Sequence, residues 1–447
     1  MSKKSEIKLS DHFTLGRLMK FIAPSIAMVV FTSIYSVVDG FFVSNYAGST
    51  PFAALNLIMP FIMILSTIGF MFGQGGTALV SMTLGKGDKK EADSLFSLIT
   101  YFVIVLGIIF SIIGYFAMPA VAKAFGADEN MLPYCVTYGR ILMIGLVPFM
   151  LQNMFQSFFI TAEQPKLGLI VILAAGISNI ILDWLLVGVF KLGLSGAAIA
   201  TDVSEIVGGL APLFYFFSRK NSSLIHLGKT HMEWKALGKA ATNGASEFMN
   251  NIASSFVGIL YNKVLMSYLG EAGVSAYGVI MYVMFFFLSI FIGLAMGAAP
   301  IVGFNYGAEN KRELHNILIL SLKIITVSGI LMFVCAEIFA YGLSYIFVGY
   351  DKDLLAITVN AFRLYSFMFF ICGFNVFSSS FFTALSNGGI SALISFVRTF
   401  VAESVSVIFL PKLLGANGIW LSATVAECIA LVLTIICLIK YRKRYGY

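Results

Sequence analysis

Asp39, Asn179 and Asp183 stand inside long apolar runs, where an ionisable or amide side chain is costly to keep without a task. Asn179 and Asp183 are four residues apart, so on a helix both side chains leave from one face. An amide carbonyl beside a carboxylate offers hard oxygen ligands to Na+, or a hydrogen-bonded carboxyl able to hold a proton. Asp39 lies late in the first apolar run and would face that pair across a helix bundle. Pro24, earlier in the same run, removes a backbone hydrogen bond and makes a bend available, so it is the candidate hinge. Thr201 adds a hydroxyl to the cation-coupling set, and Asp202 and Tyr138 (two residues before Arg140) supply a further carboxyl and a phenol as neighbours on the substrate side. The plainer alternatives are a carboxylate at the water edge for Asp39 and an interhelical hydrogen bond for Asn179 and Asp183.

Catalytic chemistry has no comparable support. His12, His226, His231 and His315 fall in polar segments. The five cysteines show no CxxC spacing, and in apolar surroundings they read as small hydrophobes. The GQGG at 73–76 is not followed by GK[ST], so it is no phosphate loop and suits close helix contact instead. The expectation is a protein that is not an enzyme and needs no cofactor beyond a coupling ion, H+ or Na+.

The elements that must position these groups are membrane helices. Of 447 residues, 59% are hydrophobic and only 11% charged, too few to coat a water-soluble particle that ordinarily carries roughly 25%. A spanning helix needs roughly 20 apolar residues. The apolar runs number twelve, from about 15–45 to about 416–440, which reads as an all-α polytopic membrane protein. The polar segment 219–236 divides it into 1–218 and 237–447, six spans each. The opening MSKKSEIKLSDHF has no apolar core and does not read as a signal peptide.

Basic residues mark one face. Lys3, Lys4, Lys86, Lys89, Lys90, Arg219, Lys220, Lys311, Arg312, the tail from Lys440 and others like them put 20 of the 29 Lys and Arg on one side, against four on the other. That bias places both termini in the cytoplasm of a cell (plasma or inner) membrane. It also accounts for a net charge of +7 by lipid contact rather than nucleic acid.

An offset of 222 residues relates the halves. GLSGAAIATDVSE from Gly193 matches GANGIWLSATVAE from Gly415, NYAG (45–48) matches SYLG (267–270), and GKGDKKEA (85–92) matches GAENKREL (307–314). Arg140 and Arg363 differ by 223. Six spans per copy give both copies one orientation, a parallel repeat about an axis along the membrane normal with a central cleft between two lobes. Glu205 and Glu427 are equivalent and read as structural. Asp39 maps to Tyr261 and Asp183 to Val405, so these two carboxyls belong to the first lobe alone.

APSIAMVVFTSIYSVVDGFFV in span 1, SNIILD in span 5, GLSGAAIAT entering span 6, NGASEFMNN opening the second lobe and the later LGEAGVSAYGV together resemble the multidrug and toxic compound extrusion (MATE) family, its MepA-like branch, over essentially the whole chain. The resemblance implies two six-helix bundles in an outward-open V and export of organic cations against Na+ or H+. Carried over by motif, the cation site is Asp39, Asn179 and Asp183, with Thr201 and Tyr138 beside it. The acids that some members carry in spans 10 and 7 fall here on Asn375 and near Ser255, which favours coupling through the first lobe. The expected partners are small organic cations and the bilayer, not nucleic acid, with the chain acting as a monomer. A flippase for a lipid-linked saccharide or other amphiphile is the rival reading.

Overall fold

The computed structural model describes residues 7–46, 49–218 and 220–447, without the side chains of 36, 37, 41, 44, 45 and 49. Lys3, Lys4, Arg219 and the Ala47–Gly48 part of the NYAG match lie outside the described residues. Among those described there is no strand. The first half comprises α1 (Leu15–Tyr46), α2 (Ser49–Gly85), α3 (Lys89–Ala124), α4 (Leu132–Ile144), α5 (Leu146–Thr161), α6 (Pro165–Asp183) and α7 (Gly193–Phe217). The second comprises α8 (Trp234–Gly307), α9 (Lys311–Val348), α10 (Lys352–Ser366), α11 (Cys372–Ala384), α12 (Gly388–Phe396), α13 (Glu403–Leu414) and α14 (Ala416–Tyr445).

Twelve membrane crossings follow from these helices. Among the described residues ten stretches are long and apolar enough to span, and α4 with α5 forms one further span bent by 56°. The 74-residue α8 holds two of the spans, joined at Gly270, whose φ of 62° breaks the helix. That left-handed conformation is open to glycine at little cost. The same device recurs at Gly193 (φ 58°) and Gly415 (φ 61°), the repeat-related starts of α7 and α14.

Local chemistry explains why GKGDKKEA and GAENKREL match. Asp88 caps α3 by accepting from the Glu91 N–H (2.9 Å), and Asn310 caps α9 by accepting from the Glu313 N–H (3.1 Å). Each satisfies an otherwise orphaned donor at a helix start, with a glutamate in the first turn favoured by the helix dipole.

Two apolar cores result. One is built by α2–α7 around Phe96, Phe155, Phe158 and Phe216. The other is built by α8–α14, and the first turns of α1 (Leu18, Phe21, Ile22, Met28) pack on it. The segment after α7 is docked rather than trailing: Ile225 is fully buried, His226 N–H donates to Asp93 (2.9 Å) and Gly228 N–H to Ser97 (3.0 Å).

The lobes meet at the end that carries both chain termini. There Gly244 lies against the Met71 carbonyl, Gly75 against Ala240, Gly85 against Phe304, and Gly293 and Gly297 against Ile26 and Ile22. A Cβ at any of these would overlap the partner helix, so glycine is what permits backbone-to-backbone approach. No such contact joins the lobes at the far ends of the same helices among the described residues, where Ile34, Met63, Phe256, Tyr282 and Phe285 are exposed. The cleft therefore opens on the face opposite the termini.

Candidate cation site in the first lobe

The site is assembled from α1, α6 and α7. Asp183 is the last residue of α6, and the chain then widens into a π-helical turn, Trp184–Val189. Such turns re-aim side chains and recur at functional positions. Asn179 (1% exposed) and Asp183 (0%) are sealed within the lobe. The carboxyls of Asp39 and Asp183 lie within hydrogen-bonding reach of one another. Two carboxylates this close in a dry interior need a positive charge between or upon them, either a shared proton or a metal cation.

The donor inventory sharpens that requirement. Asp39 Oδ1, Asn179 Oδ1 and both oxygens of Asp183 are buried and accept no hydrogen bond. Leaving a buried acceptor unmatched costs about 1–3 kcal/mol, more if charged. All four are hard oxygen atoms, the ligand chemistry of Na+, and a carboxyl among them equally suits H+. The residues present fit a small monovalent cation.

The other expected residues take distinct places. Tyr138 is 1% exposed, in electrostatic reach of Asp39, Asp183, Asp202 and Glu205, and its hydroxyl points at Met59 Sδ (4.0 Å). The Asp202 carboxyl lies against Gly145, at the break between α4 and α5, and interacts with the backbone there. It serves the bend rather than the Asp39–Asp183 pair. Thr201 is half-buried, and among the described residues its hydroxyl makes no hydrogen bond to these acids. Pro24 is buried in α1, which continues as helix from Leu15 to Tyr46 in this state.

Three further groups stand close to the pair. Tyr35 accepts from Gln152 Nε2 (3.4 Å) and stands near Glu205 and Asp39. Its position four residues before Asp39 on one helix was the available signal. Gln152 had none. Glu205, sorted as structural by its partner Glu427, is buried beside Asp39 and Asp202.

The second lobe solves the same problem differently. Tyr261 replaces Asp39, is fully buried, and stacks on Tyr277 with ring centroids 4.7 Å apart. Asn375 donates to Glu427 Oε2 (2.7 Å), and the Arg398 guanidinium, from a second π-helical turn at Val397–Ala402, sits 3.4 Å from Glu427 Oε1. Glu247 and Glu403 also lie in the field of Arg398. Among the described residues no salt bridge reaches Asp39, Asp183, Asp202 or Glu205. One lobe carries its own cation and the other does not.

A two-lobed bundle of twelve membrane-crossing helices, closed at one face and open at the other, with a carboxyl pair held for a cation, defines an integral membrane protein built on an internal repeat. The MatE family model matches it twice, at residues 24–185 and 248–408, and the chain belongs to that family. It is 24% identical over 431 residues to the multidrug export protein MepA of Staphylococcus saprophyticus, covering 96% of this chain and 94% of that one. The fold is also that of a multidrug resistance MATE family transporter of the MOP superfamily solved in its outward-facing conformation (TM-score 0.91, 19% identity, 100% and 99% of the two chains). A MATE protein solved in complex with MaL6 superposes with TM-score 0.91 at 19% identity, over 98% and 97% of the chains.

Proposed function

We propose that this protein is a secondary multidrug efflux antiporter that exports organic, mostly cationic and aromatic compounds in exchange for H+ or Na+. The observation that carries the reading is the Asp39–Asp183 pair, Asp183 sealed and Asp39 half-buried, with its unmatched oxygens, in the lobe that lacks a resident cation. The relatives named as multidrug export proteins support the substrate class. Placing the termini in the cytoplasm puts the open face of the cleft outside. A coupling cation entering from outside binds between the Asp39 and Asp183 carboxyls, with the Asn179 carbonyl as a further ligand, and lowers the negative charge of the pair. The bound organic cation then meets a site of altered charge and leaves. Exchange needs only that the two cations differ in affinity between the outward and inward states. Rocking of one lobe against the other supplies those states. A coupling charge moving inward gains about 2.3 kcal/mol per 100 mV, but a one-for-one swap of monovalent cations gains nothing electrically. The chain acts as a monomer with the bilayer and small molecules as partners.

The test is transport in proteoliposomes under an imposed ΔpH or ΔNa+, with a cationic dye and a lipid-linked saccharide in parallel. Asp39→Asn and Asp183→Asn should each abolish gradient-driven dye efflux while the protein still inserts and folds. Near-normal efflux in either variant would remove the site assignment. Saccharide movement without dye movement would favour the flippase.

A further inference from the structure

Arg140 and Arg363 are repeat-related, yet each lobe treats its arginine differently. Arg363 faces Glu337 at 3.6 Å, and Ser366 Oγ also donates to that carboxylate (3.0 Å). Glu337 is the residue 222 positions after Tyr115. In the first lobe the arginine therefore meets a phenol ring: Arg140 Nε donates to the Tyr115 carbonyl (3.2 Å) and the guanidinium lies 5.0 Å from the Tyr115 ring centroid. Among the described residues no carboxylate pairs with Arg140. A carbonyl and a ring face disperse its charge without neutralising it.

The place makes this consequential. Arg140 is half-buried in a groove of about 230 Å³ lined by Tyr115, Val136, Thr137, Ile141 and Ile144. The groove opens between α3 and α4 beside Ile112 (55% exposed), Phe116 (73%) and Ile144 (71%), the lobe's lipid-facing surface. An arginine at membrane depth is stable when it snorkels to an interface or finds an anion. The guanidinium fork matches phosphate oxygens in two-point contact. Thr137 adds an exposed hydroxyl at the same mouth, and the apolar wall suits an acyl chain.

We propose that this groove binds the phosphodiester of an anionic membrane phospholipid, with Arg140 and Thr137 as its polar contacts, at the end of the lobe opposite the termini. In the second lobe Glu337 occupies the corresponding place and pairs with Arg363. The proposal is independent of the transport reading. It tests directly by native mass spectrometry of the full chain in detergent titrated with dioleoyl phosphatidylglycerol, dioleoyl phosphatidylcholine or inorganic phosphate. One phosphatidylglycerol should be retained in preference to phosphatidylcholine. Arg140→Gln, and Tyr115→Glu, which installs the second lobe's arrangement, should each weaken its binding at least about tenfold. Arg363→Gln should leave it unchanged, and Glu337→Tyr, with both arginines intact, should add a second lipid. Equal retention by the native chain and Tyr115→Glu, equal loss in Arg363→Gln, a single lipid in Glu337→Tyr, no preference over phosphatidylcholine, or displacement by inorganic phosphate at equal concentration would each overturn it.

Discussion

The two lobes differ by a few side chains in where positive charge comes from. In the second lobe Arg398 pairs with the buried Glu427 and lies in the field of the half-buried Glu403 and Glu247, so removing it strips all three acids of their nearby cation. Breaking a buried charge pair typically costs about 3–5 kcal/mol, because the abandoned charge remains desolvated. Arg398→Ala should therefore lower the thermal unfolding midpoint in detergent, and the double change Arg398→Ala with Glu427→Gln should recover part of the loss. A midpoint unmoved by Arg398→Ala would show that the cluster is not held by that guanidinium. The first lobe's counterpart was legible from the chain alone, because Asp39 and Asp183 are rare charges that break a 222-residue symmetry. The partners were not. Tyr35, Gln152 and Arg398 acquire meaning only when helices far apart in sequence pack, and hydrophobic periodicity is blind to which polar residue meets which.

Among the elements, the apolar runs foretold where helices lie but not where they break. Span 4 divides at Gly145 into α4 and α5, at the place where Asp202 from α7 fills the space a side chain would need. The segment before α1 shows the same dependence on distant contacts. Leu9 N–H donates to Glu163 (2.7 Å) in the first lobe, while Phe13 N–H and His12 Nδ1 engage Glu313 (2.9 and 2.7 Å) in the second, and Asn316 donates to the Phe13 carbonyl (2.8 Å). Leu9 and Phe13 are buried, so residues 9–13 tie both lobes together at the closed face. Glu313→Ala strands the buried Phe13 N–H at a cost of about 1–3 kcal/mol. Hydrogen exchange of the amides at 9–13 should then accelerate roughly tenfold or more. Unchanged protection would mean that the apolar anchors alone hold the segment.

At the scale of the molecule, the proposed exchange requires two arrangements of lobes that are each internally rigid. The closed face is made by helix backbones touching through glycine, with α2 contacting both spans of α8: Gly75 and Gly244 near one, Gly85 and Gly307 near the other. Contacts of this kind are all-or-none, since a side chain cannot be accommodated by small shifts in a packed interface. Gly244 is the sharpest case, because any Cβ there overlaps the Met71 carbonyl. Gly244→Leu should then force α2 and α8 apart at the terminus-bearing face without disturbing either core. A shift of about 5.5 kcal/mol between the two arrangements would carry the population from nearly all closed there to nearly all open. Spin labels placed by Lys90→Cys in the first lobe and Arg312→Cys in the second, both exposed at that face, read the separation by pulsed electron resonance once the native cysteines are replaced. The distance distribution should move to longer values in Gly244→Leu, and dye efflux should fall because the outward state is no longer reached. An unchanged distribution would mean that the lobes are held by their apolar side chains, with the glycines only filling space between them.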